Sequence, residues 1–259
     1  MVELQHLSYS SISTYQMCPE SWRRRYIEGQ KEPISTALIF GSAFHDTVQT
    51  YLQIGGRLMD IWSDKWSEQI ARENDIAWEG DTPESLRENG WRMFDTPAVW
   101  STIERIKTAY DPQREQSVER RVELHVPGVS VPIIGYIDVV LKDGTLADFK
   151  TAARMWPADS TDKPDKRMQP LVYLAGLNQA GINDHGWLFR YYVFVKSAKP
   201  TVKTFEMQLK PAEVLTGLFP QIQQVWRDIE AKRFPKVTSG WKCSAKYCGY
   251  WNDCMGGQV

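Results

Sequence analysis

The chain lacks most of the features that would fix its class at a glance. Its 259 residues include only four cysteines and four histidines, and the formal net charge is −1. Without a basic excess, charge alone does not point to nucleic acid, and an enzyme of small molecules stays open. No apolar run reaches the roughly 18 residues of a membrane span, so no membrane partner is expected. There is no G-x-x-x-x-G-K-S/T phosphate loop, which excludes a fused helicase motor. Internal repeats and low-complexity tracts are missing, which excludes solenoids and arrays. The start, Met1-Val2-Glu3-Leu4-Gln5-His6, does not have the charged-then-apolar layout of a signal peptide. The expected compartment is the cytoplasm, or the host cytoplasm for a viral protein.

What is present reads as a soluble globular domain, with 42% apolar and 24% charged residues. Basic residues cluster locally in three runs: Arg23-Arg24-Arg25; Lys163, Lys166 and Arg167; and Lys196, Lys199 and Lys203. Such runs bind phosphates even when the total charge cancels, although each is as readily a solvated face. Arg23, Arg24, Lys166 and Arg167 are the substrate-binding candidates. Most of the eleven tryptophans should be core. Trp22 and Trp156 lie near basic runs, where an aromatic ring can stack on a base.

Periodicity divides the chain. A helix is expected over residues 10–28 and a second over 38–52, where Phe40, Phe44, Val48 and Leu52 recur every four positions. Residues 58–110 read as further helices, broken near Gly80-Asp81-Thr82-Pro83 and Asp95-Thr96-Pro97. The period then changes to two over 118–126, 131–141 and 145–150. A polar loop over 156–166, a helix over 168–180, strands over 187–196 and 201–209, and a long helix over 211–233, kinked at Pro220, complete the pattern. This order predicts an α/β class: a central mixed sheet flanked by helices, with an N-terminal helical part.

Two segments carry chemistry. In Gly135-Tyr136-Ile137-Asp138-Val139-Val140-Leu141 an acid sits inside an apolar strand, where an ionised carboxylate is costly without a partner. In Asp148-Phe149-Lys150 an acid and an amine lie two residues apart, on one face of a strand. A two-residue loop, Asp143-Gly144, would put Asp138 and Asp148 on opposite faces. A three-residue loop closing on a left-handed Gly144 pairs Leu141 with Thr145 and sets Asp138 opposite Asp148. We expect the second register. Two adjacent carboxylates repel unless a cation intervenes, and Mg²⁺ or Mn²⁺ suits oxygen ligands. Lys150 would orient water or neutralise developing charge. A buried Asp–Lys salt bridge without catalysis stays open on these residues alone.

Several short motifs occur in one order: Leu7-Ser8-Tyr9-Ser10 with Cys18-Pro19 and Tyr26; Gly41-Ser42-Ala43-Phe44-His45; Gly135-Tyr136-Ile137-Asp138; Asp148-Phe149-Lys150; and Gln169 with Tyr173. Together they resemble the PD-(D/E)XK nucleases, and among these the RecB-like four-cysteine exonucleases of the AddB and CRISPR-associated kinds. The resemblance implies a restriction-endonuclease-like fold forming a single domain over 1–259, with a helical insertion at 53–115. It implies Asp138, Asp148, Lys150, Gln169 and Tyr173 as catalytic residues. His45, Asp138, Asp148 and the Phe149 backbone carbonyl would hold Mg²⁺ or Mn²⁺. Asp148 stands where many relatives have Glu. Pro170 directly after Gln169 removes an amide donor and should start or distort that helix.

Cys18 stands alone, while Cys243, Cys248 and Cys254 are spaced C-x₄-C-x₅-C. Two disulfides are disfavoured in a reducing compartment. Four thiolates suit zinc or an iron–sulfur centre, but the C-x₂-C knuckles usual for zinc are missing. The resemblance implies a 4Fe–4S cluster on a module of residue 18 and residues 243–254, joining the two ends of the chain. The wider spacing here keeps Zn²⁺ and a 2Fe–2S cluster open. The function implied is a metal-dependent DNA exonuclease for single strands or duplex ends, in recombination or repair, phage DNA metabolism or CRISPR adaptation. A helicase or a recombination or CRISPR protein is a possible partner. An RNA-directed nuclease and a non-catalytic iron–sulfur scaffold that binds nucleic acid are the alternatives.

Overall fold

The computed structural model describes residues 4–110 and 117–256. Positions 111–115, the end of the expected insertion, lie outside the described residues. Proline sets the first departure from the sequence expectation. Pro19 disfavours a helical residue before it, so Cys18 is extended (φ −158°, ψ 104°) and the single helix expected over 10–28 is two. Helix α1 is Tyr9–Met17, opened by a reciprocal Ser8–Ser11 cap, and α2 is Pro19–Tyr26.

A two-residue strand β1 (Ile34–Ser35) leads into α3 (Thr36–Ile54), capped by Ser35. Helix α4 (Leu58–Arg72) follows, then β2 (Ile76–Ala77), which pairs with β1. Helices α5 (Pro83–Asp95) and α6 (Pro97–Ala109) each begin at a proline, where the missing amide costs nothing.

The main sheet holds β3 (Val118–Leu124), β4 (Ile133–Val140) and β5 (Leu146–Ala152), then β6 (Leu188–Val195) and β7 (Thr201–Gln208), in that spatial order. Neighbours are antiparallel except β5 and β6, which run parallel. A parallel pair needs a crossover, here a 3₁₀ turn (Ala158–Asp162) and α7 (Pro164–Gln179). Helix α7 starts four residues earlier than expected and contains Pro170 without ending there. The carbonyl that Pro170 cannot serve belongs to Lys166, and the Tyr191 hydroxyl donates to it instead, at 3.0 Å. After β7, the expected long helix is a π-wound turn (Val214–Leu218) followed by α8 (Phe219–Glu230), with Pro220 in the first turn of α8. A short α9 (Trp251–Cys254) lies near the C-terminus. No helix among the described residues is long and apolar enough to cross a membrane.

The result is an α/β fold in which helices flank a mixed sheet. On one side α1, α7 and α8 pack on Leu146, Phe189, Tyr191 and Val193. On the other, α3 to α6 pack on Val139, Ala147, Phe149 and Phe194. Strand alternation breaks at one place. Ile137 and Val140 lie three apart yet share a core, while Val118 and Val122 lie four apart in opposite cores. Between them, Glu119 and Asp138 face each other in the β3–β4 register, and Glu119 has a left-handed φ of 51°. Both strands kink together at Asp138.

Candidate active site

The hairpin at Lys142-Asp143-Gly144 positions the two acids. The Gly144 amide donates to the Leu141 carbonyl (2.9 Å), and the Leu141 amide to the Thr145 carbonyl (2.9 Å). The Asp143 carboxylate accepts from the Thr145 amide (2.9 Å). Gly144 has φ +82°, and a Cβ there would lie 2.2 Å from the Asp184 carbonyl oxygen, so only glycine fits. The turn is the three-residue form, with Val139 opposite Ala147 and Val140 opposite Leu146. One step further, Asp138 meets Asp148. There the strands part: a carboxylate oxygen of Asp138 accepts from the Phe149 amide at 2.7 Å.

The surrounding elements complete the cluster. Helix α3 brings His45 Nδ1 to 3.2 Å from Asp138 Oδ2. On β5, Lys150 Nζ stands 2.6 Å from Asp148 Oδ2. Helix α7 brings Gln169, whose amide nitrogen is 2.8 Å from Asp148 Oδ1 and 2.9 Å from the Tyr173 hydroxyl. Thus the four-residue spacings of Gly41 and His45, and of Gln169 and Tyr173, serve the same point from opposite sides of the sheet. Gly41 lets α3 approach β5, since a Cβ would sit 3.3 Å from the Thr151 hydroxyl. Gly135 leaves room for the Tyr173 ring, which a Cβ would meet at 2.4 Å.

Both acids are buried, with Asp138 7% and Asp148 2% exposed, yet their protonation diverges. Burial acts to raise Asp138, but His45, Lys150 and the Phe149 amide outweigh it and hold this carboxyl below its usual range. Burial pushes Asp148 up to about 6, and the Asp138 charge adds to that against the pull of Lys150. Burial acts to lower His45 and Lys150, but the carboxylates offset it and both end raised. One Asp148 oxygen, Oδ2, is buried with no hydrogen-bond donor. Lys150 is close to it as an ion pair, though outside hydrogen-bond geometry. Two buried carboxylates beside an imidazole, with only the Lys150 ammonium against Asp148 Oδ2, offer the oxygen and nitrogen donors that suit a hard divalent cation. Among the described residues, however, no group of three or more His, Cys, Asp or Glu is gathered on one point. His45 and Phe149 both contact Asp138 Oδ2, while Lys150 and Gln169 contact Asp148 through Oδ2 and Oδ1, so a cation joining the two acids would have to share or take over contacts at Asp148.

The remaining sequence candidates fall elsewhere. Arg23 is paired with Glu20 and Glu28, and Arg24 with Glu20. Arg167 forms a two-pronged pair with Glu213. Their charges are engaged within the fold and are not brought to the acids. Lys166 lies 4.9 Å from the Trp156 ring centroid and also pairs with Asp165. Trp22 is fully buried and stacks on Phe234, so it cannot meet a base. Trp156 is half-buried against Tyr191 and Phe205.

All four cysteines are free of disulfides and line one cavity of about 130 Å³, together with Thr14, Met17 and Trp241. Burial pushes the Cys248 thiol up, and the Cys18 and Cys243 sulfurs nearby add to this. A single zinc ion would draw four sulfurs to within roughly 4 Å of one another. No such gathering exists among the described residues. The four thiols border the cavity without being gathered as a metal-binding group among the described residues.

Two residues near the acids were given no site role by the sequence, although Tyr9 stands within the Leu7-Ser8-Tyr9-Ser10 motif. Glu119 faces Asp138 across the kink and accepts a hydrogen bond from Gln49 of α3. Its carboxyl is raised by burial and by Asp138. An acid one residue into a strand paired with the Asp138 strand was the available signal. Tyr9 opens α1 and donates to the Asp165 carbonyl at 3.1 Å. Burial raises its hydroxyl, and Lys150 and Asp148 act on it electrostatically. Only the tertiary packing of α1 reveals this.

Known proteins place the fold. The chain is similar to the solved structure of an exonuclease candidate from Eubacterium rectale, with a TM-score of 0.56 and 14% identity over 94% of this chain and 87% of that one. It also matches the solved structure of SSO0001, with a TM-score of 0.39 and 14% identity over 89% of each chain, too distant to argue from. No curated protein matches at the level of sequence. The sequence profile of one family matches residues 6–255, nearly the whole described chain. The chain belongs to the PD-(D/E)XK nuclease superfamily.

Proposed function

We propose that the chain is a metal-dependent deoxyribonuclease that trims single-stranded DNA or duplex ends. The observation that carries this reading is the meeting of Asp138, Asp148 and Lys150 at the splayed end of β4 and β5, two buried acids with an ammonium against one of them. His45, Asp138, Asp148 and the Phe149 carbonyl would hold Mg²⁺ or Mn²⁺, the ions typical of the superfamily. Bound there, such an ion supplies positive charge that polarises a phosphodiester and eases the loss of a proton from water.

The chain's own groups do the rest. Lys150 presents an ammonium on the same face as Asp148, where it can orient attacking water or balance charge on the phosphoryl oxygens. Its raised proton affinity keeps it cationic at neutral pH. Gln169 and Tyr173 hold Asp148 in position from α7. His45 anchors Asp138. Exonuclease action is supported by the Eubacterium rectale likeness in fold alone.

Cys18, Cys243, Cys248 and Cys254 would hold an iron–sulfur cluster, most simply 4Fe–4S, whose role is to tie the ends of the chain together. The processes that suit this chemistry are recombination or repair, phage DNA metabolism and CRISPR adaptation, with a helicase or another protein of these systems as partner. A substrate panel tests the proposal: end-labelled linear single-stranded DNA, duplex DNA, RNA and circular single-stranded DNA, each with Mg²⁺ or Mn²⁺. The expected result is mononucleotide or short-oligonucleotide release from linear DNA and sparing of circles. Cleavage of RNA alone would move the assignment to a ribonuclease, and cleavage of nothing would favour a nucleic-acid-binding scaffold.

A further inference from the structure

The C-terminal segment carries side chains that the proposed chemistry leaves unused. Trp241 is 70% exposed and Tyr247 48%. Large aromatic rings this open on a folded surface mark a binding face when charge surrounds them. The two rings pack edge to face, with centroids 5.2 Å apart, and so form one unit. Trp241 borders the cysteine cavity beside Met17, Lys236 and Lys242. Lys246 Nζ lies 5.2 Å from the Tyr247 centroid. Of the nearby acids, Glu32 accepts from the Gly249 amide, while Asp253 is exposed and lies 3.9 Å from Arg24.

Helix α1 links this face to the candidate active site. Tyr9 at its start senses Lys150 and Asp148, and Met17 at its end borders the cavity. Tyr9, Ser13 and Met17 follow one another at four-residue steps along one helix face. The nine residues of α1 span roughly 13 Å along the helix axis.

We propose that Trp241 and Tyr247, ringed by Lys236, Lys242 and Lys246, form a base-stacking platform for an unpaired DNA strand whose scissile bond lies at Asp138, Asp148 and Lys150. This rests on the nuclease reading for the identity of the strand. Every base offers a flat face to an aromatic ring, and lysines neutralise the phosphates between, so the platform is tolerant of sequence. An acidic protein segment would satisfy the lysines but leave the rings without planar partners.

The test is the affinity for fluorescein-labelled oligo(dT) of about 20 nucleotides, measured in EDTA so that hydrolysis does not enter. Trp241→Ala should weaken binding about tenfold, with the melting temperature unchanged, while Trp241→Phe should stay within about threefold. Tyr247→Ala should weaken it in the same direction and gives an independent reading if Trp241→Ala does not fold. Replacing Lys242 and Lys246 by Gln should flatten the log–log salt dependence by roughly 0.7 per lysine. The proposal is overturned if the aromatic variants bind like wild type. It is also overturned if polyglutamate binds this face and oligo(dT) does not. Binding losses in these variants alongside a chain that cleaves nothing would sink the nuclease reading and keep the platform; metal-dependent cleavage with unaltered binding would do the reverse.

Discussion

Neutralising the two buried acids should shift stability in opposite directions. In the metal-free protein Asp148 is held at about 6 against an ordinary 3.8. Its ionised form therefore opposes folding, at roughly 1.4 kcal/mol for each pH unit of displacement, or about 3 kcal/mol in all. The sign follows from linkage. A carboxyl with a raised folded pKa binds its proton more tightly in the folded state, so stability falls as pH rises from about 3.8 through about 6 and is level above. Asp148→Asn keeps an acceptor for Gln169 and removes the charge. It should match wild type near the acid end of this window and be the more stable protein above it, by less than the full displacement because Lys150 loses its 2.6 Å partner. Asp138 is held low, so its stabilisation is present above the ordinary carboxylate pKa and is lost as pH falls through the folded value. Asp138→Asn should therefore lower Tm at pH 8. Thermal unfolding in EDTA across this pH range measures both. Saturating Mg²⁺ should raise the Tm of wild type and narrow its gap to Asp148→Asn. Two variants that shift Tm the same way in EDTA at pH 8 would refute the electrostatic reasoning.

Three further outcomes follow from particular contacts. Gly144→Ala should cost at least about 2 kcal/mol, from a left-handed alanine and its collision with the Asp184 carbonyl, as read by denaturant midpoint. Gly90→Ala should destabilise by about 1–3 kcal/mol despite better helix propensity, because its Cβ would lie 2.0 Å from the buried Trp62 indole. Cys18→Ala should lower both folded yield and metal content, and a fully stable variant with unchanged metal content would refute a role for Cys18 in a shared centre.

Much of the candidate site could be read in the sequence because its signals are local. The Gly144 turn fixes the hairpin register, and period two puts Asp148 and Lys150 on one face. Four-residue spacing aligns Gly41 with His45 and Gln169 with Tyr173. What was hidden depends on partners far apart in the chain. Nothing local says that Tyr191 would satisfy the carbonyl freed by Pro170 and so let α7 continue through it. Nothing local says that Glu213, 46 residues on, would engage Arg167. Glu20 does lie within helical reach of Arg23 and Arg24, so that pairing was readable and the basic run outweighed it. Trp22 lies beside the basic run in sequence but faces inward, since the phase of α2 is set by Pro19 and the break at Cys18. The kink shared by Glu119 and Asp138 requires two strands to distort together, which no single-strand pattern encodes.

The most direct test of the central claim is nucleotide release from end-labelled single-stranded DNA by wild type and by Lys150→Ala, with and without Mg²⁺ or Mn²⁺. Wild type should release nucleotides only with the metal, and Lys150→Ala should be slower by roughly 10²-fold or more while still binding the strand. Equal rates for the two proteins, or release that persists in EDTA, would contradict the assignment of Asp138, Asp148 and Lys150 as a metal-dependent phosphodiesterase centre.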